Sequence, residues 1–380
     1  MNILINVSNL TGGGGVQVAD SICSYLYLYP QHHFVVVYSN KLAATARRIT
    51  GFQNVEIVNY NYPFRDLYSL FFRRNIVLDA LVKTRRIDCV LTLFGPMKWC
   101  PKCEHICGFA LSQLVIPESP YFKRMAFIDI VKARFFVVLN TYLFKRGVNH
   151  FYTENLFITE RVRNLFPGVE VRTITNNYNQ VFDTVDLQKH ISLPLFKGFN
   201  ILSVISGGAH KNVPITIDVA RCLVEQYGFT DFRFIITVTR DEIPTIPHSM
   251  GGHFLLLGKV DIEQCPSLYE QSDIVFQPTL LECFTAAYPE AMRTGKPIVT
   301  TDLEFARSLC GDAALFYDPL NAESAAKCIY ELFVNERLSK ELIQKGYLQL
   351  KKYDTSRERA EKLVHYCEEV VGNNNVSHEV

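Results

Sequence analysis

The 380-residue sequence predicts an α/β protein of two domains, each a parallel sheet with helices on both faces. Three observations carry this. Short apolar runs alternate with helical patterns along nearly the whole chain, the alternation lapses between residues 183 and 198, and a glycine-bearing loop follows an early apolar run on either side of the lapse. The expected division is 1–183, 199–355 and a final helix over 356–372 that packs back toward the first domain.

Ile3 to Val7 is the first strand; with no cationic lead and so short an apolar core it does not read as a signal peptide. Thr11-Gly12-Gly13-Gly14-Gly15 follows, then a helical pattern from Val16 to about Leu28, stopped before Pro30. Glycines admit a phosphate close to the backbone, and the free N–H groups of a first helical turn face it. His33 to Tyr38, Val55 to Val58, Cys89 to Leu93 and His105 to Ala110 are further strands, with the basic and aromatic segment Phe64 to Arg86 between the second and third of these. Tyr121 to Arg146 reads as one helix mixing aromatic and cationic residues; then come strand His150 to Thr153, helix Glu154 to Phe166 and strand Val169 to Ile174.

Beyond the lapse the alternation restarts with strand Asn200 to Ile205, the loop Ser206-Gly207-Gly208-Ala209-His210-Lys211-Asn212 and helix Val213 to Tyr227. Strands at Phe232 to Val238, Phe254 to Leu256, Asp273 to Phe276, Pro297 to Thr300 and Ala314 to Tyr317 follow, interleaved with helices at 265–271 and 304–310. Helices over 322–335, 336–352 and 356–371 close the chain, and Asn373-Asn374-Asn375 reads as a frayed tail.

Composition excludes several classes. With 48% hydrophobic and 20% charged residues the chain is neither low-complexity nor disordered. No apolar run approaches the roughly 18 residues of a membrane span, and the expected location is cytoplasmic. The eleven cysteines are odd in number and mostly lie in apolar segments, as in a reducing compartment. Cys100-Pro101-Lys102-Cys103 with His105 and Cys107 matches no familiar zinc spacing. The net charge of +1 hides an asymmetry: residues 1–183 hold 20 Lys and Arg against 12 Asp and Glu, the remainder 19 against 26. A basic half suits an anionic membrane surface, or is a solvated surface whose charges simply balance across the domains; nucleic acid is disfavoured because the cations are spread over several elements with no reader motif. A dinucleotide-binding unit would want GxGxxG and an acidic residue after the second strand, and neither is present.

The most informative stretch runs from Pro278 to Met292. Read as a helix, it carries Glu282 and Glu290 on one face about 12 Å apart at roughly 1.5 Å per residue, so one ligand with two ends could bridge them. Lys211, at a helix start just past a strand, suits a diphosphate. Ligands of open parallel sheets bind outside the carboxyl ends of the strands, so two facing domains would set these loops across one cleft.

The E-x7-E pattern Glu282 to Glu290, the flanking Pro278-Thr279, Cys283-Phe284, Pro289-Glu290-Ala291-Met292 and Gly295-Lys296-Pro297, the glycine loop, the His210-Lys211-Asn212 turn and Asp318-Pro319 together resemble glycosyltransferase family 4. The resemblance covers nearly the whole chain and is most specific over 199–320. It implies the α/β GT-B fold, two facing Rossmann-like domains with parallel sheets and a cleft between them, and retaining transfer of a hexose-type sugar from a nucleotide diphosphate sugar, UDP or GDP. It further implies a glycan or lipid-linked acceptor in cell-surface polysaccharide or lipopolysaccharide synthesis and no metal cofactor, consistent with the lack of a D-x-D pair. The basic balance of the first domain and its segments Phe64 to Arg86 and Tyr121 to Arg146 suggest that this acceptor is met at the inner face of the membrane.

By this resemblance Glu282 and Lys211 are catalytic. Gly13, Gly14, Gly207, Gly208, His210, Thr279, Cys283, Phe284, Thr285 and Glu290 bind the donor, with Glu290 on the ribose. Two positions depart from the family pattern: Ser206 stands where an arginine is usual, and Ala110-Leu111 where a His-Asp pair is frequent, so that pair's role does not transfer to His105. The competing readings are sugar-nucleotide hydrolysis or epimerisation on the same fold, and a non-catalytic nucleotide-sugar or nucleic-acid binding protein.

Overall fold

The computed structural model describes residues 1–10, 12–61, 67–184 and 189–377. Of the segments singled out above, Thr11, residues 64–66 of the basic and aromatic segment and 185–188 of the expected linker lie outside these. The chain divides into two units, one comprising Met1–Val115, Ala126–Asn176 and Asp354–Val380, the other Ile116–Met125 and Asn177–Tyr353.

The first unit is built on seven strands: β1 (Asn2–Asn6), β2 (His33–Tyr38), β3 (Val55–Asn59), β4 (Cys89–Thr92), β5 (Glu104–Gly108), β6 (His150–Thr153) and β7 (Glu170–Thr173). All pair in parallel in the order β3-β2-β1-β4-β5-β6-β7. Parallel sheets are covered on both faces, which is why these strands read as unbroken apolar runs rather than alternating ones. Ile3, Ile5, Val36, Leu91 and Ile106 pack in one core with Val18, Ile22 and the C-terminal helix residues Leu363, Tyr366, Cys367 and Val370. The second unit carries β8 (Phe199–Ser203), β9 (Phe232–Ile236), β10 (Phe254–Leu256), β11 (Ile274–Gln277), β12 (Ile298–Thr301) and β13 (Ala314–Tyr317), parallel in the order β10-β9-β8-β11-β12-β13. This is the two-domain α/β architecture of the GT-B fold.

In both sheets the strand order reverses direction once, between β1 and β4 and between β8 and β11. Helices leave the sheet on opposite faces at such a point, so the loops after those two strands part and leave a crevice. The loops that matter are therefore those after Asn6 and Thr92 in one unit, and after Ser203 and Gln277 in the other.

Three expected elements differ. The first helix is Gly14–Cys23, followed by a separate short turn at Leu26–Leu28, because the chain straightens before Pro30. The helix expected over Tyr121 to Arg146 is two, Pro120–Lys123 and Phe127–Lys145. No glycine or proline marks the break; it is held by tertiary bonds, since Ser119 caps the short helix and donates to the Leu280 carbonyl at 2.7 Å while Arg124 donates to Asn212. The C-terminal helix runs over Ser356–Ser377 rather than fraying at Asn373.

Candidate active site

The loop after β8 is bent back onto its own sheet. Ile205 donates its N–H to the Thr237 hydroxyl at 2.8 Å, and that hydroxyl donates to the Ile205 carbonyl. Gly207 passes so close to the Glu242 carboxylate that a Cβ there would sit 2.3 Å from it. The loop then makes one tight turn, Ala209–Lys211, and leaves it through Asn212 in the left-handed conformation at φ 52°. Lys211 is the last residue of that turn.

The loop after β11 meets it there. Leu280 donates its N–H to the His210 carbonyl at 2.8 Å, and the buried Thr301 hydroxyl holds the Thr279 carbonyl at 2.8 Å. Lys211 Nζ forms an ion pair with Glu282 Oε1, and the Thr279 hydroxyl donates to the same oxygen at 2.8 Å. Lys211, Thr279 and Glu282 are thus one cluster beside His210, at the carboxyl ends of the two strands that flank the reversal. Burial lowers the pKa of the His210 imidazole, opposed by the Glu282 carboxylate and aided by the Lys211 ammonium.

Glu282 and Glu290 do not share a helix. The helix begins at Ala287, and Glu282 lies in the extended loop before it. Pro289 explains the correction: a helix running through 282–290 would need the N–H that proline lacks and would drive its ring into the carbonyl of residue 285, whereas within a first turn proline is tolerated. Glu290 sits inside, 4% exposed, accepting a hydrogen bond from the Tyr269 hydroxyl at 2.6 Å. Burial pushes its carboxyl up to about 7, and the Tyr269 bond only partly offsets this.

Between the two glutamates, Cys283 is buried, Phe284 lies edge-on to Tyr353 with ring centroids 6.2 Å apart, and Thr285 is half-buried. Gly208 precedes the turn, its carbonyl accepting from Lys211 N–H at 2.9 Å. Gly13 and Gly14 belong to the other unit, after β1, where Gly13 takes φ 63° and heads the helix with no side-chain cap bond among the described residues.

Two groups of this second unit carry no local signal in the sequence. Tyr269 bonds Glu290 from a helix 21 residues upstream, and segment 116–125 brings Tyr121 edge-on to the His210 ring at 6.2 Å and Arg124 onto Asn212. His105, in contrast, is a packing residue: it is buried between the Thr92 hydroxyl at 2.9 Å and the Gly147 carbonyl at 2.5 Å, and burial lowers it to about 4. Ala110 and Leu111 follow β5 and bring no titratable group there.

Residues 200–349 match the model of a family described as glycosyl transferases group 1. Solved structures of similar fold include a glycosyltransferase from Rickettsia africae ESF-5, at 13% identity and a TM-score of 0.73, covering 98% of this chain and 99% of that one. Sucrose-phosphate synthase from Thermosynechococcus elongatus follows at 10% identity and a TM-score of 0.69, covering 98% and 100%. HepE from Anabaena, solved with UDP-glucose, aligns at 13% identity and a TM-score of 0.67, covering 97% and 100%. No curated protein matches the chain significantly by sequence. Residues 200–349 thus form a glycosyl transferases group 1 domain, and the chain is a glycosyltransferase of the GT-B fold.

Proposed function

We propose that this glycosyltransferase is a retaining member of family 4 that moves a hexose-type sugar from a UDP- or GDP-sugar to a glycan or lipid-linked acceptor. The observation that carries the reading is the cluster of Lys211, Thr279 and Glu282 at the reversal point of the second sheet, with the buried Glu290 nearby in the chain. Cleavage of a sugar–diphosphate bond needs its departing negative charge stabilised, and in this reading Lys211 and backbone N–H groups around Gly207 and Gly208 supply that. No metal is assigned to the step. Glu282, oriented by Lys211 and Thr279, accepts from hydroxyls of the donor sugar, with N–H groups at Phe284 and Thr285 beside it. Glu290 accepts from the ribose.

HepE was solved with UDP-glucose, which supports UDP over GDP. A cell-surface polysaccharide or lipopolysaccharide pathway, on the cytoplasmic side of a membrane, fits the basic first half of the chain.

A thermal-shift screen of UDP-, GDP-, ADP- and dTDP-sugars should single out one donor, and that donor with a lipid-linked glycan should give an elongated product with the donor's anomeric configuration. Free sugar alone would mean hydrolysis, and an isomerised donor epimerisation. Lys211→Ala and Glu282→Ala should each lower kcat by about 100-fold or more, as for removal of a group aimed at developing charge. Undiminished turnover in both would overturn the site.

A further inference from the structure

In the first unit two neighbouring groups of large apolar side chains face water. On the helix Phe127–Lys145 they are Phe127, Val131, Phe135, Val138 and Tyr142, with Phe127 82% exposed. Their spacing of four, four, three and four residues is that of one helical face, a continuous stripe about 22 Å long at roughly 1.5 Å per residue. Ile128 and Phe136 widen it. The opposite side of the helix has its own cover, with Leu143 and Phe144 buried.

The second group is Tyr68, Phe71 and Phe72 on the helix Leu67–Phe72, and Ile76 and Val77 at the start of Ile76–Thr84, with Ile76 77% exposed. Arg73 joins the two groups. Buried directly after Phe72, it donates to the Met97 carbonyl at 2.7 Å and to the Leu143 carbonyl at 2.9 Å, which fixes the end of the short helix against the end of the long one. A dozen exposed apolar side chains on joined elements is more than a protein surface carries singly and by chance, and such patches mark contact surfaces.

The charges select the occupant. Residues 126–146 hold Lys132, Arg134, Lys145 and Arg146 against one carboxylate, Asp129. Arg134 lies three residues from Val131 and four from Val138, so it flanks the stripe, and Lys145 lies three beyond Tyr142. A second copy docked symmetrically by the same face would set these cations against their equals, which is repulsive. Apolar side chains bordered by cations match a bilayer surface with anionic headgroups, with the helix lying in the interface plane. Among the described residues no helix is long and apolar enough to cross a membrane, so this contact is made from outside.

We propose that the face formed by Phe127, Val131, Phe135, Val138 and Tyr142 together with Phe71, Phe72, Ile76 and Val77 docks on an anionic lipid surface. This deepens the transferase reading by placing the lipid-linked acceptor's membrane against the first unit, and it rests on that reading only for its purpose. The test is flotation of the full chain with phosphatidylcholine–phosphatidylglycerol vesicles and with pure phosphatidylcholine vesicles, in wild type, in Phe135→Glu/Val138→Glu and in Phe135→Trp. All these positions are exposed and outside the proposed donor site.

Wild type should float with the anionic vesicles and be released by salt, and the double variant should bind at least about tenfold less. The native Trp99 is fully buried, so the fluorescence that Phe135→Trp adds reports on the stripe, and it should shift to the blue on binding. Unchanged thermal shift with the preferred nucleotide shows that the double variant is folded. Absence of flotation in wild type, or equal flotation of the double variant, overturns the proposal. A dimer in solution that the double variant abolishes would assign the face to a second copy and also overturn it. Retained flotation with no response to any nucleotide sugar would overturn the transferase reading alone.

Discussion

Glu290 is a carboxyl whose charge the fold resists. Its folded pKa near 7 lies above the 4.5 of an unperturbed glutamate, so the folded state keeps the proton longer than the unfolded chain does. The stability this confers is complete below about pH 4.5 and declines as pH rises through 7, by about 3 kcal/mol in all. Glu290→Gln removes that dependence; the difference in unfolding free energy between the variant and wild type, read by urea denaturation, should grow in the variant's favour from pH 5 to pH 8. A ribose donating to this oxygen favours the charged form. Nucleotide affinity in wild type should therefore fall as pH drops below about 7, and calorimetry on Glu290→Gln should show weak binding without that slope. The residue is marked in the sequence by its motif. Its protonation state is not, because that comes from burial and from Tyr269, neither of which the motif specifies.

At the scale of elements, strands and glycine turns were legible and helix limits were less so. Fully covered parallel strands such as β1, β4 and β11 announce themselves as apolar runs. The helix expected through Glu282 and Glu290 starts only at Ala287, where Pro289 is tolerated in the first turn, and the break at 124–126 depends on bonds from Ser119 and Arg124 to residues far along the chain. The helix Ser356–Ser377 shows a further dependence of this kind. Arg359, 1% exposed, pairs with the buried Glu154, 205 positions away, while Leu363, Tyr366 and Cys367 enter the core around β1. Arg359→Ala leaves a buried carboxylate without its partner and should cost about 3–5 kcal/mol in urea unfolding. Replacing both residues by methionine should recover most of that loss, because a well-packed apolar pair substitutes for a buried ion pair.

Across the whole molecule, each sheet reverses its strand order once, and the candidate residues Gly13 and Gly14 in one unit and Lys211 and Glu282 in the other lie in loops that follow strands at those reversals. If the second unit holds the nucleotide, a nucleotide at a hundredfold its Kd should raise the unfolding free energy by about 2.7 kcal/mol, seen as a higher Tm. Lys211→Ala should shrink that shift at equal nucleotide concentration. The alternation of runs, the glycine loops and the E-x7-E stretch are local patterns, and they suffice for the α/β class, the order of most elements and the residues worth testing. That Glu282 leaves the helix and meets Lys211, 71 positions earlier, that Glu290 is buried against Tyr269, and that one stripe of an apolar helix stays exposed follow from the folded arrangement. Periodicity says which residues share a face; what covers that face, and which charge lies beside which, depends on contacts between segments that only folding brings together.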